Sequence, residues 1–173
     1  MTIADLITKI HRSPVQKTLH HFTEAENIGS IRSHGLLSRR TLNNRRLAHV
    51  TGGNQLSCEL DDHYGFDRYV HLCLRAQHGM AFQAKQEGRL VDVRWIAVSP
   101  DVLALPDVLI ALDNSVKNDV PVVPLASALD SMDLEVLYGY TDWKDPAIQD
   151  RLRTVERYEI LVPDHVPLRY ITF

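Results

Sequence analysis

The sequence predicts a mixed α+β fold that forms a single domain over residues 1–173. The length of 173 residues suits one hydrophobic core. Helical and alternating periodicities follow one another without the regular strand–helix–strand repeat of a doubly wound sheet. We find no internal repeat and no low-complexity linker, so no domain boundary is expected. Hydrophobic residues make up 45% and charged residues 24%, as in an ordinary soluble globular protein.

The N-terminal elements are predicted from helix signals. Apolar residues at helical spacing predict an amphipathic helix over Ile3–His11. Residues 23–26 have the form of a capping box, which predicts a second helix that starts there and ends at Gly35. Residues 19–22 are then a short strand or turn leading to a helix N-terminus, where free N–H groups suit a phosphate or carboxylate.

The later elements are predicted from alternation and turn residues. Residues 40–67 are polar and predict a long loop with a short helix. Alternation predicts a strand over 69–75, with Val70, Leu72 and Leu74 on one face and Tyr69, His71 and Cys73 on the other. Further strands are predicted over residues 93–99, 108–113, 158–162 and 168–173, and helices over residues 81–87, 125–130 and 145–155. The last helix begins with a favourable Asp-Pro pair.

The sequence shows neither an apparent targeting signal nor a disulfide framework. No apolar run approaches the roughly 20 residues that a membrane-spanning helix needs, and the N-terminus does not resemble a signal peptide. Two cysteines, Cys58 and Cys73, do not make a disulfide framework. We therefore expect a cytoplasmic protein without a membrane partner.

Charge is unevenly distributed along the chain. The net charge of −3 argues against a strongly basic nucleic-acid binder. Between residues 32 and 49, however, basic residues occur with no acid among them: Arg32, His34, Arg39, Arg40, Arg45, Arg46 and His49. One face of the protein could therefore attract phosphate. The alternative is a solvated basic loop.

Glu159 is the most informative single residue. A carboxylate inside an aliphatic strand is costly unless it is paired or has a function. In a cleft, Glu159 could hydrogen-bond a ribose hydroxyl and stabilise an oxocarbenium-like centre, as cleavage of an N-glycosidic bond requires. His21 and Thr23 offer hydrogen bonds to sugar or amide groups, and Tyr69, beside His71, offers a ring for stacking. The alternatives are a strand-edge salt bridge for Glu159 and ordinary core or strand-surface positions for the others.

Several common chemistries are not supported by the motifs. Cys58, His63, His71 and Cys73 do not have the spacing of zinc ligands, so no metal is predicted. The sequence contains no Walker A loop, no G-x-G-x-x-G fingerprint and no G-x-S-x-G nucleophile elbow.

Four segments, taken together, resemble the DarT family of DNA ADP-ribosyltransferases. They are residues 19–37 (LHHFTEAENIGSIRSHGLL), Gly52-Gly53-Asn54, residues 69–73 (YVHLC) with Met80 following, and residues 141–143 (TDW) running to residues 158–163 (YEILVP). Their order and spacing extend over nearly the whole chain. The first and last segments are fairly specific in combination.

The resemblance implies an ADP-ribosyltransferase fold, in which a split pair of small β-sheets surrounds an NAD cleft. It also implies that Glu159 is catalytic. With the strand pattern described above, the predicted cofactor-binding residues are His21, Phe22, Thr23, Asn27, Ser30, Tyr69 and His71.

The resemblance also implies the reaction and its partners. Family members are toxins that transfer ADP-ribose from NAD to a base in single-stranded DNA, and a macrodomain antitoxin reverses the modification. The resemblance further implies an arginine in the loop after the first helix that contacts NAD and helps to deprotonate the base, for which Arg45 and Arg46 are the candidates here. We assign the catalytic role to Arg46, and DNA binding to Arg39, Arg40 and Arg45.

Three alternatives remain at this stage. One is an RNA 2′-phosphotransferase, which shares the fold and also consumes NAD. The second is a non-catalytic module that binds NAD or nucleic acid, and the third is a transferase that modifies protein.

Overall fold

A mostly antiparallel sheet forms the centre of the molecule. The structure is a computed structural model that describes residues 1–76, 78–117 and 119–173. Its helices are α1 (Ile3–His11), α2 (Ile28–His34), α3 (Arg39–Asn44), α4 (Gln55–Tyr64), α5 (Gly79–Gln86), α6 (Leu125–Ala128), α7 (Leu134–Tyr138) and α8 (Pro146–Val155). Its strands are β1 (Leu19–Glu24), β2 (Leu36–Leu37), β3 (Tyr69–Cys73), β4 (Val93–Val98), β5 (Leu109–Ala111), β6 (Val122–Pro124), β7 (Glu159–Pro163), β8 (His165–Val166) and β9 (Ile171–Thr172). Short 3₁₀ helices cover Ala25–Asn27, Phe66–Arg68, Pro100–Ala104, Leu129–Ser131 and Leu168–Tyr170.

The main sheet has two halves that meet at a single point. Seven strands follow the order β6-β5-β7-β3-β1-β4-β9, and β2 and β8 form a separate pair. Among the described residues, β1 and β3 are joined by one residue pair, His20 opposite Cys73. Beyond that pair β1 continues along β4, and β3 continues along β7. The predicted α+β class with a split sheet is therefore confirmed.

The first helix folds as predicted and belongs to the hydrophobic core. Thr2 and Asp5 form a reciprocal capping box at its start. Leu6 and Ile10, one helical turn apart, are fully buried. The helix packs against the 3₁₀ helix Pro100–Ala104, which joins the N-terminal segment to the sheet.

The predicted capping box at residues 23–26 is wrong. Thr23 and Glu24 remain in β1, where they pair with Arg94 and Val93 of β4. The Glu24 carboxylate accepts hydrogen bonds from the backbone N–H groups of residues 25, 91 and 92, and α2 begins only at Ile28. Long-range pairing therefore overrides the local helix signal. The predicted end of the helix at Gly35 is confirmed.

The predicted loop over residues 40–67 is also wrong in large part, because two helices occupy it. The Ser38 side chain caps α3 by accepting from the Thr41 N–H, and Asn54 caps α4 by accepting from the Ser57 N–H. Gly65 ends α4 in the left-handed conformation, with a φ of 74°. Both helices are polar because both lie at the surface of the molecule.

The other predicted elements agree with the structure apart from their ends and one strand. Helix α8 begins after the predicted Asp145 N-cap. The strand predicted over residues 168–173 is shorter, because residues 168–170 form a 3₁₀ helix before β9. The short strands β2, β6 and β8 and helix α7 were not predicted.

The two central strands separate the core from a cavity. Val70 and Leu72 of β3 lie opposite Val162 and Ile160 of β7, and all four belong to the apolar core. The alternate positions of these strands carry Tyr69, His71 and Glu159 towards the other side of the sheet.

None of the helices in the described part of the chain has the length and apolar character needed to span a membrane.

Gly35 provides a test of this arrangement. Its φ is 77°, and a Cβ atom there would collide with the carbonyl oxygen of Val166 in β8. Gly35→Ala is therefore expected to lower the free energy of unfolding by about 1–3 kcal/mol, measured by urea denaturation. Gly29→Ala, inside the helix α2 that Gly35 ends, is the control, because a Cβ there meets open space. It should be neutral or stabilising by up to about 1 kcal/mol, and equal destabilisation by both changes would contradict the account.

Candidate active site

The cavity lies where the two halves of the sheet diverge. It has a volume of about 210 Å³ and is lined by β1, β3 and the start of β7, with α2, α3 and α4 around it. Nine of the residues predicted for the site line it: His21, Phe22, Thr23, Asn27, Ser30, Arg39, Tyr69, His71 and Glu159. Three others, Arg40, Arg45 and Arg46, are exposed and are not part of its lining.

Glu159 is a buried carboxylate at the inner end of this cavity. It begins β7 between Cys73 of β3 and Ala111 of β5, and only 4% of its surface is exposed. Its Oε2 atom accepts from the Ser115 backbone N–H (3.2 Å) and hydroxyl (2.6 Å) and lies 3.4 Å from His71 Nδ1. Among the described residues no hydrogen bond reaches Oε1, which therefore remains able to accept from a ligand.

His71 carries the positive charge that balances Glu159. Its Nδ1 faces Glu159, and its Nε2 lies 3.3 Å from the Phe66 carbonyl oxygen, so both ring nitrogens face acceptors. Both nitrogens can donate only when the ring is an imidazolium. Burial lowers the pKa of His71, but the hydrogen bond and charge of Glu159, with the charge of Asp61, outweigh burial and raise that pKa to about 9.

The same pair keeps Glu159 ionised. Burial alone would raise the pKa of the Glu159 carboxyl. The hydrogen bond and positive charge of His71, and the hydrogen bond from Ser115, more than offset burial, so that the pKa is lowered. The cavity therefore holds an ionised carboxylate that is paired with the His71 imidazolium and whose Oε1 atom accepts no hydrogen bond from the described residues.

His21 is neutral and presents an acceptor. Its Nδ1 lies 2.9 Å from the His71 carbonyl oxygen, which can only accept, so Nδ1 carries the proton. Burial lowers the pKa of His21; the hydrogen bond to the His71 carbonyl opposes this effect, and the charge of His71 adds to it, so that the pKa is lowered. The remaining nitrogen, Nε2, is therefore a hydrogen-bond acceptor.

Asn27 connects β1 to the segment that follows α3. Its side-chain nitrogen donates to the Thr23 hydroxyl (2.9 Å) and to the Val50 carbonyl (2.7 Å), and its oxygen accepts from the Val50 N–H (2.9 Å). These bonds use most of the hydrogen-bonding capacity of the amide. Asn27 thus shapes the cavity wall, and a direct contact with NAD remains a prediction.

Aromatic rings line two sides of the cavity. Phe22 lies beside His78 and Trp95, with ring centroids 6.3 and 5.6 Å apart. Tyr69 is buried, and its hydroxyl accepts from Arg68. Either ring offers a flat surface for a base or a nicotinamide.

The predicted arginines differ in their surroundings. Arg39 donates to the Cys58 carbonyl and to Asp62 of α4. Arg40 makes a two-point ion pair with Asp67, at 2.6 and 2.9 Å. Arg45 and Arg46 follow α3 and are exposed, and the described residues include no ion-pair partner for either. The catalytic assignment of Arg46 stays a prediction.

Among the cavity residues that the sequence analysis did not predict, Ser115, Asp61 and His78 carry unusual hydrogen-bonding features. Ser115 holds Glu159, and Asp61 has a buried oxygen, Oδ1, without a hydrogen-bond partner among the described residues. His78 accepts the Met80 N–H on Nδ1, so its buried Nε2 carries a proton that likewise finds no described partner. The caps at Ser38 and Asn54 were the available signals for the helices around Asp61. Within the described residues, no three potential ligands are close enough to hold a metal ion.

Comparison with protein families identifies the chain. A family model described as "ssDNA thymidine ADP-ribosyltransferase, DarT" matches residues 20–173.

The chain belongs to the DarT family. It is therefore a member of a family of enzymes that transfer ADP-ribose to thymidine in single-stranded DNA. A comparison with curated proteins found no match.

Solved structures of DarT proteins share the fold. The structure of Thermosipho africanus DarTG in complex with ADP-ribose has a sequence identity of 18% to this chain and a TM-score of 0.67. The match covers 90% of this chain and 42% of that chain. The structure of Thermus sp. 2.9 DarT in complex with ADP-ribosylated ssDNA has a sequence identity of 17% and a TM-score of 0.64. The match covers 88% of this chain and 78% of the Thermus chain. The structure of the same Thermus protein in complex with NAD+ has a sequence identity of 17% and a TM-score of 0.59. The match covers 92% of this chain and 81% of the Thermus chain. This chain thus spans less than half of the Thermosipho chain.

The charge of His71 can be measured directly. We expect NMR titration of the wild type to give a His71 pKa of about 9, and Glu159→Gln to lower that pKa, because burial is then opposed only by the charge of Asp61 and the hydrogen bond to the Phe66 carbonyl. Because the pKa of His71 is raised in the folded state, its protonation stabilises the fold. The full contribution to the free energy of unfolding is present below about pH 6.5 and is lost as the pH rises through about 9. The free energy of unfolding should therefore fall more over that range in the wild type than in the variant. A wild-type pKa near 6.5 would contradict the ion pair.

Proposed function

We propose that this chain transfers ADP-ribose from NAD to thymine bases of single-stranded DNA, with Glu159 as its catalytic glutamate. The single observation that carries the proposal is the ionised, buried carboxylate in the cavity, which has one oxygen available. Membership of the DarT family supplies the class of reaction and the thymidine substrate. The proposed enzyme is one domain over residues 1–173, which the packing of α1 on the core supports.

The cavity offers the groups that NAD requires. Glu159 Oε1 and His21 Nε2 are acceptors for ribose hydroxyls, and His78 Nε2–H is a donor for an amide or phosphate oxygen. Phe22 and Tyr69 provide flat apolar surfaces. Thr23, Ser30 and Asn27 border the same space on the side of α2. These residues, with His71, form the proposed NAD site.

Glu159 would act at the bond between nicotinamide and ribose. When this bond breaks, nicotinamide leaves with the electron pair as a neutral molecule, and positive charge develops on the ribose. An ionised carboxylate hydrogen-bonded to a ribose hydroxyl stabilises that charge more in the transition state than in the ground state. Ser115 and His71 hold the carboxylate in position and in its charged form.

The DNA would approach along the arginines beside the cavity. A target base has to leave its stack to reach the ribose carbon, and single-stranded DNA avoids the cost of breaking a base pair. Arg39, Arg40 and Arg45 are the proposed phosphate contacts, and Arg46 the proposed catalytic arginine. Thymine in DNA has one N–H group, at N3, which is the proposed nucleophile.

The biological setting follows from the proposed reaction. Modified thymine would block DNA copying, so we propose that the chain is a toxin and that a macrodomain antitoxin removes the ADP-ribose. The cytoplasmic location stays a prediction from the sequence. Co-expression with a macrodomain hydrolase should relieve toxicity, whereas a hydrolase-inactive macrodomain that does not bind the toxin should not.

The reaction is tested by mass spectrometry of nucleosides. The protein is incubated with NAD and each of four homopolymer-rich oligonucleotides, and in parallel with 2′-phosphorylated RNA. ADP-ribosylated thymidine from the thymine-rich strand alone is the expected product. Removal of the phosphate from RNA, or modification of the protein only, would overturn the proposed substrate.

Glu159→Gln tests the catalytic residue. The variant keeps the size of the side chain but removes its charge, so the rate of transfer should fall by about 10²–10³-fold or more, measured in single turnovers. Glu156→Gln is the control, since Glu156 lies outside the cavity and faces Arg75. An unchanged rate in Glu159→Gln, with a folded protein by circular dichroism, would remove Glu159 from the active site.

The contribution of each arginine to DNA binding can be measured from the salt dependence of the affinity. Each phosphate contact on a single strand contributes about 0.7 to the slope of log affinity against log salt. Arg45→Gln should reduce that slope by about 0.7, whereas Arg40→Gln should reduce it less, because Asp67 already neutralises Arg40. Fluorescence anisotropy with a thymine-rich oligonucleotide gives the slopes, with Arg153→Gln on α8 as control. A larger effect for Arg40 would reverse this assignment.

A further inference from the structure

An exposed tryptophan lies beside the cavity. Trp95 of β4 is 38% exposed, whereas tryptophan side chains are on average highly buried in folded proteins. Phe22 of β1, which lines the cavity, lies opposite Trp95 in the sheet, and the centroids of the two rings are 5.6 Å apart. Trp95 therefore extends the aromatic surface of the cavity towards solvent.

Strand register places Trp95 on the same face of the sheet as Glu159. Cys73 of β3 lies between Glu159 of β7 and His20 of β1. His20 in turn lies opposite Ala97, which is two residues from Trp95 on β4. Residues directly opposite each other, and residues two apart on one strand, point to the same face. Three strand spacings, roughly 14 Å, separate β7 from β4, and single-stranded DNA covers such a distance in a few nucleotides.

The faces of the indole ring are not covered by another ring. The ring of His20 meets Trp95 edge-on, at an interplanar angle of 82°, and the ring of Phe22 is tilted by 59°. Among the described residues, no aromatic ring or cation is stacked on Trp95. A flat base could therefore stack on the indole, and covering an exposed apolar ring is favourable.

The loop that follows α3 reaches the same surface. A Cβ atom at Gly52 would lie 3.0 Å from the Phe22 ring, so the backbone of this loop lies against Phe22. Arg45, a proposed phosphate contact, and Arg46 stand at the start of the same loop. Cations that follow the backbone and aromatic rings that stack on the bases are the combination by which proteins hold single-stranded nucleic acid.

The acids near Trp95 are compensated by local partners. Asp92 is paired with the neighbouring Arg94, at 2.8 Å. The Glu24 carboxylate accepts hydrogen bonds from three backbone N–H groups. Repulsion of DNA phosphates by these two acids is therefore reduced.

We propose that Trp95 is a stacking site for a base that lies within a few nucleotides of the target thymine in single-stranded DNA. This inference rests on the proposed function and adds a second nucleotide-binding site outside the cavity. Stacking on Trp95 would hold the strand while the target base enters the cavity at Glu159. Because every base has a flat face, the site would accept any of the four bases.

Fluorescence tests the contact directly, because Trp95 and Trp143 are the two tryptophans of the chain. In Trp143→Phe all tryptophan emission comes from Trp95, and a thymine-rich oligonucleotide should quench it to saturation. In Trp95→Phe the emission comes from Trp143, which lies outside the cavity lining and whose ring is faced by Lys144 at 5.6 Å. The same oligonucleotide should leave that emission unchanged.

Affinity measurements give the size of the effect. Trp95→Ala should weaken binding of the oligonucleotide by about 5–100-fold, measured by fluorescence anisotropy. Trp143→Ala, the matched control, should weaken it by less than about twofold, because its ring is not offered to the strand. NAD affinity, measured by calorimetry, should change by less than about threefold in both variants, since stacking on DNA does not involve NAD.

Abasic sites identify the base that stacks and separate this contact from a structural role. In an oligonucleotide with one target thymine, an abasic site is moved through the flanking positions. At one position it should weaken binding to the wild type as much as Trp95→Ala does, and the two changes together should cost no more than either alone. A purely structural role for Trp95 would give the same additional loss at every position.

Several outcomes would overturn the stacking site. They are unquenched Trp95 emission, additive losses at every flanking position, an equal loss in Trp143→Ala, and quenching of Trp95 by NAD without DNA, which would assign Trp95 to the NAD site. None of these measurements requires turnover. Failure of the wild type to modify thymine, with Trp95 still coupled to a flanking base, would instead overturn the proposed function.

Discussion

The structure depends on keeping one carboxylate charged inside a β-sheet. Glu159 begins a strand that is otherwise aliphatic and buried on both sides. A buried ion without partners costs several kcal/mol, so this position is tolerable only because Ser115 and His71 surround one of its oxygens. The imidazolium is itself held by the Phe66 carbonyl, and the carbonyl of His71 holds His21. The charge, the ring orientations and the register of β3 on β7 are therefore mutually dependent.

Strand register is the means by which this arrangement is fixed. Cys73 lies opposite Glu159, which places His71 diagonally across from the carboxylate on the same face. A shift of one residue would move His71 into the apolar core and would bring Val70 and Leu72 to the cavity. The aliphatic residues of both strands oppose that shift, because they would lose their burial. The hydrophobic pattern thus positions the charged groups as well as the core.

The helices and strands that local signals determine could be predicted from the sequence. Helix α1, the Asp145 cap of α8 and the two faces of β3 were predicted because their periodicity or capping residues lie within the element itself. The start of α2 was wrong because β4 binds residues that locally favour a helix cap. Residues 40–67 form two helices, α3 and α4, instead of a long loop with one short helix, because the caps at Ser38 and Asn54 allow helices of polar composition at the surface.

Within the candidate site, the sequence predicted individual residues better than the contacts between them. Glu159 could be selected because a carboxylate in an aliphatic strand is unusual, and His21 because it lies with Thr23 where a helix N-terminus was predicted. Ser115 and Asp61 could not, because nothing in a turn or a polar helix shows that it will face a distant strand. The imidazolium state of His71 depends on two acceptors that come from other elements, which no local pattern records.

The negative net charge is consistent with a DNA substrate when the partners of the arginines are considered. Arg39 and Arg40 are neutralised by Asp62 and Asp67, so these two pairs mainly hold α3 against α4 and the turn before β3. A phosphate at Arg39 or Arg40 would compete with these carboxylates, whereas Arg45 and Arg46, after α3, have no ion-pair partner among the described residues. A protein with few available cations binds DNA weakly and releases it readily at physiological salt. In the proposed reaction, selection of the substrate would then depend on the fit of an unstacked base in the cavity that contains Glu159.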